Sequence, residues 1–273
     1  MSSLSQPIVI FDSGVGGLSI YQRVKATLNC PVVYCSDSAG FPYGPRPSGE
    51  VIKRTYACLM ELKQSFNPSL AVIACNTAST VSLPTVRKAL DIPVVGVVPA
   101  IKTASQQSIK RCIGLLATPG TISREYTDQL IDDFASDCRV IRVGSSRLVE
   151  LAEDYLRGKP VDRVCLKKII APFFQEQPWP DTIVLGCTHF PLIEHLLQSV
   201  VPVAINWVDS GDAIANRVRH LLTGSKVTLQ ISESDRFLYT GNSMEIEGLI
   251  PVLQKMGFAS AEMMRPSEIF TGR

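Results

Sequence analysis

Two cysteines carry the clearest chemical signal in this chain. Cys75 closes the run Ser69-Leu-Ala-Val-Ile-Ala-Cys75 and is followed by Asn76 and Thr77; Cys187 closes Asp181-Thr-Ile-Val-Leu-Gly-Cys187 and is followed by Thr188 and His189. Each is an apolar stretch, a small residue, a thiol and then short polar residues, and the thiols lie 112 residues apart in a chain of 273. A thiol ionises near pH 8.5, and lower beside positive charge or a helix N-terminus. One thiolate can therefore take a proton from a carbon while a second thiol, still protonated, delivers one to the opposite face. That exchange inverts a stereocentre and runs in either direction. Each thiol also needs a group to manage its proton. His189 follows Cys187 by two residues, and Asp12, at the end of another apolar run, is the candidate for Cys75. Blander readings stay open at this point. His189 can be a satisfied structural histidine and Cys187 a core thiol, and a Cys187–His189 nucleophile pair for acyl transfer is a rival that leaves Cys75 without a task.

These residues need elements that deliver them to one place. Short continuous apolar runs point to strands buried on both faces, as in a parallel sheet, and ligands bind at the carboxyl ends of such strands. Pro7 to Ser19 reads as strand, glycine turn and helix start, with Asp12 and Ser13 at the strand end. Gly14, Gly16 and Gly17 allow close backbone approach. Position 19 is serine, so the dinucleotide fingerprint is not matched. An anion-holding loop and a plain turn with Asp12 capping the helix are both open. Ser36 to Gly49 is a loop rich in Pro and Gly. Its Pro42-Tyr43-Gly44 can offer a phenol and a backbone N–H, and Asp37 reads as a turn residue.

Periodicity predicts helices over 18–27, 50–66 and 83–90 and strands over 31–35 and 92–98 in a first pass. A second pass starts at Arg111, with a strand running to a polar turn by Thr121. Helices over 123–134, 146–156 and 162–174 follow, with a strand at 139–143, and Glu150 and Glu153 lie in the second of these helices. A helix over 192–199 and a strand over 203–208 complete the pass. The tail predicts a helix to about 222, strands over 226–231 and 236–240, and a helix over 247–256. The two passes agree in order, which points to an internal duplication. The expected fold is α/β: two pseudo-symmetric three-layer lobes with mainly parallel sheets and an active site in the cleft between them. Lobe one is expected from residues 1–98 and 210–273, and lobe two from 99–209.

Bulk properties exclude several classes. A net charge of +2 from 27 basic and 25 acidic residues gives no electrostatic reason for a nucleic-acid or membrane partner. No charged n-region or apolar h-region opens the chain, and its apolar runs fall short of the ~20 residues a spanning helix needs. A soluble, cytoplasmic protein is expected. Eight cysteines without C-x-x-C spacing and only three histidines argue against structural zinc, and reduced thiols are expected. His195 and His220 read as surface or packing residues. No phosphate cup paired with a Schiff-base lysine stands out, so no cofactor is expected.

Phe11-Asp-Ser-Gly-Val-Gly-Gly-Leu-Ser19, Phe41-Pro-Tyr-Gly44, Ala74-Cys-Asn-Thr-Ala-Ser79 and Leu185-Gly-Cys-Thr-His-Phe-Pro-Leu192 together resemble glutamate racemase, over nearly the whole chain and more weakly after residue 222. That family is cofactor-independent and supplies D-glutamate for bacterial peptidoglycan. The resemblance implies that Cys75 and Cys187 are the acid/base pair, assisted by Asp12 and His189. It implies a substrate site lined by Asp12, Ser13, Tyr43, Gly44, Asn76, Thr77, Thr188 and His189. A further assisting glutamate maps to Glu153, with Glu150 as the alternative. Gly40 departs from the family, which often has a larger, frequently basic residue there. The resemblance also implies glutamate as substrate and a homodimer. Some members respond to a peptidoglycan precursor or bind DNA gyrase. An aspartate racemase and a non-catalytic carboxylate-binding module are the alternative functions.

Overall fold

The structure is a computed structural model that describes residues 6–223 and 234–266. The chain falls into two compact units, one from the residues up to Val97 together with those from Gly211 on, the other from Val98–Ser210.

The first unit begins with β1 (Ile8–Asp12), α1 (Leu18–Thr27), β2 (Val32–Ser36), α2 (Ser48–Phe66), β3 (Leu70–Ile73), α3 (Asn76–Ala89) and β4 (Val94–Gly96). Every residue of β1, β2 and β3 is buried, which is why these strands are apolar without alternation. Val9, Phe11, Val33, Cys35, Ala71 and Ile73 pack with Val51, Cys58, Leu59 and Leu62 of α2 and Ala78 and Val86 of α3. On the alternate positions, Tyr34 stacks on Phe237, and Phe258 links that pair to Tyr21 of α1. Helices thus cover both faces of the sheet.

The second unit runs α4 (Ile101–Gln107), β5 (Cys112–Ala117), α5 (Pro119–Ile122), α6 (Glu125–Ala135), β6 (Arg139–Gly144), α7 (Arg147–Leu156), α8 (Arg163–Ile170), β7 (Thr182–Leu185), α9 (Glu194–Gln198) and β8 (Asn206–Val208). The chain then adds α10 (Gly211–Thr223), β9 (Asp235–Tyr239), α11 (Ser243–Glu247), α12 (Ile250–Lys255) and β10 (Phe258–Met263) to the first unit. The two sheets have the orders β10-β9-β2-β1-β3-β4 and β6-β5-β7-β8, and all their pairings are parallel. The order β2-β1-β3-β4 recurs as β6-β5-β7-β8, so the duplication legible in the sequence is a duplication of topology. The α/β fold with parallel sheets is as expected.

Local differences have physical causes. The helix expected from residue 83 begins at Asn76, directly after Cys75. Its first turns are polar, but Ser79 Oγ donates to Ile73 O at 3.0 Å and Ser82 Oγ to Ala78 O at 2.6 Å. Burial there overrides weak helix propensity, and these bonds satisfy the buried hydroxyls. The helix expected over 162–174 ends at Ile170 and continues as a 3-10 turn around Pro172. Likewise Pro191 starts a 3-10 turn ahead of α9, because proline cannot donate into a helix. The helix expected over 247–256 is confined to 250–255, with a separate short helix over 243–247 ahead of it, and is followed by β10, an edge strand with little apolar signal. The strand expected over 226–231 lies outside the described residues.

Candidate active site

Both cysteines stand just beyond the carboxyl end of a central parallel strand. Phe11 of β1 pairs with Ile73 of β3, and Leu116 of β5 pairs with Leu185 of β7. Cys75 and Cys187 each lie two residues past the strand residue so paired. The two thiols therefore hold equivalent places in two copies of one sheet motif.

In the first unit, Cys75 is the N-cap of α3 and is 7% exposed. The positive end of the helix dipole is where a thiolate is best tolerated. Ser13 Oγ lies 3.7 Å from Cys75 Sγ and donates to Asp12 Oδ1 at 3.3 Å, so a hydroxyl links the thiol to the carboxylate. Asp12 is fully buried and accepts the backbone N–H of Ser13 at 2.6 Å and of Gly17 at 2.5 Å, with Tyr34 Oη at 3.5 Å. Gly17 has a specific reason to be glycine: a Cβ there would stand 2.8 Å from both Ala74 Cβ and Tyr34 Oη. Beside the thiol, the amide nitrogen of Asn76 is buried with no hydrogen-bond partner, in a side chain 4% exposed. An unspent buried donor is costly, and it marks a place where an acceptor from outside the protein would be welcome. Thr77 is buried in the next position.

In the second unit, Cys187 Sγ lies 3.7 Å from His189 Nδ1, and His189 Nε2 lies 2.8 Å from Glu153 Oε1. Arg157 Nη1 holds the other oxygen of Glu153 at 2.5 Å. These groups form a chain running thiol, imidazole, carboxylate, guanidinium. Burial opposes charge on His189, but the hydrogen bonds to Cys187 and Glu153 override it, and its pKa stands well above the ordinary imidazole value. With Nε2–H committed to Glu153, Nδ1 is the nitrogen left to exchange a proton with the thiol. Of the two glutamates weighed from the sequence, Glu153 is buried against His189, whereas Glu150 pairs with Arg147 at the surface. Thr188 is buried between the thiol and the imidazole in sequence.

The Phe41–Gly44 loop sits differently from the expectation. Tyr43 is 1% exposed and its phenol donates to Asp37 Oδ2 at 2.6 Å. Burial, then the charge of Asp37, pushes its pKa well above the ordinary phenol value. Its one proton is spent inside the protein, so the phenol is not the free donor foreseen from the sequence; Gly44, next in the loop, still carries a backbone N–H. Asp37 does open a turn, its carbonyl accepting Gly40 N–H at 2.8 Å, but its carboxylate is also fully buried and holds Arg54 and Thr240.

One residue was passed over. Thr118 lies two residues beyond Leu116, as Ser13 lies two beyond Phe11, and it is buried as the N-cap of α5. Its Oγ1 lies 3.0 Å from Thr121 Oγ1. Aligning the two passes of the sequence on their strand ends gives it the position that corresponds to Ser13. Among the described residues, no two cysteines are joined by a disulfide, and no group of three His, Cys, Asp or Glu side chains could hold a metal ion.

A family model for Asp/Glu/Hydantoin racemase matches residues 12–218. The chain belongs to the Asp/Glu/Hydantoin racemase family. Within this racemase family it is 45% identical to a glutamate racemase of Klebsiella pneumoniae over 258 residues, covering 94% of this chain and 91% of that one. Its structure is similar to that of Escherichia coli glutamate racemase in complex with L-glutamate and the activator UDP-MurNAc-Ala. The TM-score there is 0.91 at 42% identity, over 95% of this chain and 98% of the other. A Bacillus anthracis glutamate racemase isoform gives a TM-score of 0.83 at 27% identity, over 95% and 97% of the two chains. As a racemase of this family, the chain carries both thiol motifs at the strand ends where its two sheets repeat one another.

Proposed function

We propose that this chain interconverts L- and D-glutamate by proton transfer at Cα between Cys75 and Cys187, without a cofactor. The observation that carries the reading is the repeated strand-end thiol, each copy with its own polar assistants, in a chain of this family. In one direction a thiolate takes the Cα proton and the Cα–H electron pair stays on carbon, delocalised toward the α-carboxylate. The other thiol then gives its proton to the opposite face and becomes the thiolate. Asp12, through Ser13, serves Cys75; His189, oriented by Glu153, serves Cys187. Ser13, Gly44 N–H, Asn76, Thr77 and Thr188 are assigned to the substrate's carboxylates. Donors preorganised at the α-carboxylate stabilise the charge that develops there. Glutamate is preferred to aspartate because the curated relatives at 43–45% identity are named glutamate racemase. One methylene is worth on the order of 1–3 kcal/mol.

The test is purified protein with L-glutamate in D₂O and no added cofactor. D-glutamate deuterated at Cα is expected. Absence of both inversion and deuterium uptake would sink the reading, and faster turnover of aspartate would shift it to the aspartate alternative. The Escherichia coli relative was solved with an activator, so the proposal includes activation by UDP-MurNAc-Ala and a role in supplying D-glutamate for peptidoglycan. Equal rates with and without that nucleotide would remove the activation. A cytoplasmic homodimer belongs to the same reading; among the described residues no helix is long and apolar enough to cross a membrane. Light scattering that returns the mass of one chain at assay concentration would remove the dimer.

A further inference from the structure

Asp37 has more partners than a loop residue needs. Its backbone N–H donates to Asp12 O at 2.8 Å, and its carbonyl accepts Gly40 N–H at 2.8 Å. Its carboxylate, fully buried, accepts Tyr43 Oη at 2.6 Å, Arg54 Nε at 2.6 Å, Arg54 Nη2 at 2.8 Å and Thr240 Oγ1 at 2.5 Å. Arg54, from the middle of α2, thus grips the carboxylate with both prongs of its fork, the geometry that fixes orientation as well as distance. Around this pair the loop has no slack. A Cβ at Gly40 would overlap Arg54 Nε and Asp37 Oδ2, and Arg46 Nε donates to the Gly40 carbonyl while its guanidinium pairs with Glu50. Asp37 therefore joins the strand end that carries Asp12 through its backbone, and Tyr43, α2 and the residue after β9 through its carboxylate.

A buried ion pair is poor evidence of stabilisation, because its desolvation offsets its attraction. Its geometric role is better supported here. Resting on the racemase reading above, we propose that Asp37 and Arg54 are positioning residues that set the Tyr43–Gly44 turn relative to Asp12, so that the Gly44 backbone N–H meets a substrate carboxylate. The missing side chain at Gly40 leaves room for this pair, and α2 supplies the cation that meets the carboxylate. Neither residue touches the reacting atoms. Loss of the pair should therefore loosen substrate binding before it slows proton transfer.

The test is the steady-state kinetics of Arg54→Met, Arg54→Lys and Gly40→Ala in both directions, beside thermal melts. Displacing a binding group by a fraction of an ångström should raise KM by on the order of ten-fold in Arg54→Met and Gly40→Ala, with kcat within about three-fold of wild type. Arg54→Lys keeps the charge without the fork and should fall between. A folded Arg54→Met with wild-type KM, or a loss confined to kcat, overturns the proposal. Should Arg54→Met fail to fold, wild-type KM in both Arg54→Lys and Gly40→Ala overturns it. Failure of the underlying reading looks different, because wild-type protein itself would then not racemise glutamate.

Discussion

Cys75→Ala and Cys187→Ala should each lower glutamate racemisation by on the order of 10²- to 10⁴-fold, the usual worth of a positioned acid or base. Both thiols are 7–8% exposed at equivalent strand ends, so a small side chain leaves little more than the missing sulfur. The more telling result is directional. A surviving thiolate can still remove the Cα proton on its own face and return a solvent deuteron to that face. Each variant should therefore exchange deuterium into one enantiomer without inverting it, and the two variants should prefer opposite enantiomers. Mass spectrometry of recovered L- and D-glutamate reads this directly. Retained racemisation in either variant would remove that thiol from the mechanism. Exchange of the same enantiomer by both would show that the thiols do not serve opposite faces.

His189→Asn should have the next largest effect, lowering turnover by on the order of 10²-fold, more in the direction in which Cys187 must give up its proton as the base. The ring is 3% exposed and has one nitrogen on the thiol and the other on Glu153, so its loss leaves the thiol without a proton partner. Glu153→Gln should act through the same ring. Removing the carboxylate takes away one of the interactions that raise the His189 pKa, so the alkaline limb of the pH–rate profile should move to lower pH. The stability sign follows from the raised pKa. His189 contributes stability that is full below the unfolded imidazole value of about 6.5 and is lost as pH rises through the folded one. His189→Asn should flatten that alkaline decline in melting temperature. An unmoved pH profile in Glu153→Gln would show that the carboxylate only packs against the ring.

Much of the candidate site was legible in the chain because strand-end chemistry is local. An apolar run buried on both faces dictates where its polar terminus lies, so Asp12, Cys75, Cys187 and His189 were visible as soon as the strands were. The partner of the Tyr43 phenol is not legible in the sequence, for the opposite reason. Whether a phenol is free depends on a partner six residues away, on an arginine from the middle of α2 and on a threonine beyond β9, and spacing alone reports none of these. Asp37 starts a turn, as its position suggests, but the burial of its carboxylate depends on the same distant partners. The choice between Glu150 and Glu153 likewise needed the fold, since both sit on one helix and only packing decides which turns inward to His189 and which meets Arg147.

By itself, then, the sequence determined the parallel α/β architecture, its internal repeat and the two thiols, because hydrophobic periodicity and strand ends are properties of short segments. Only the tertiary structure decided which polar groups stand beside those thiols. Hydrogen bonds from Ser13 to Asp12 and Cys75, from His189 to Glu153, and from Arg54 to Asp37 span between one and 62 residues of chain. Most of them join groups whose proximity exists only after the sheets and helices have packed.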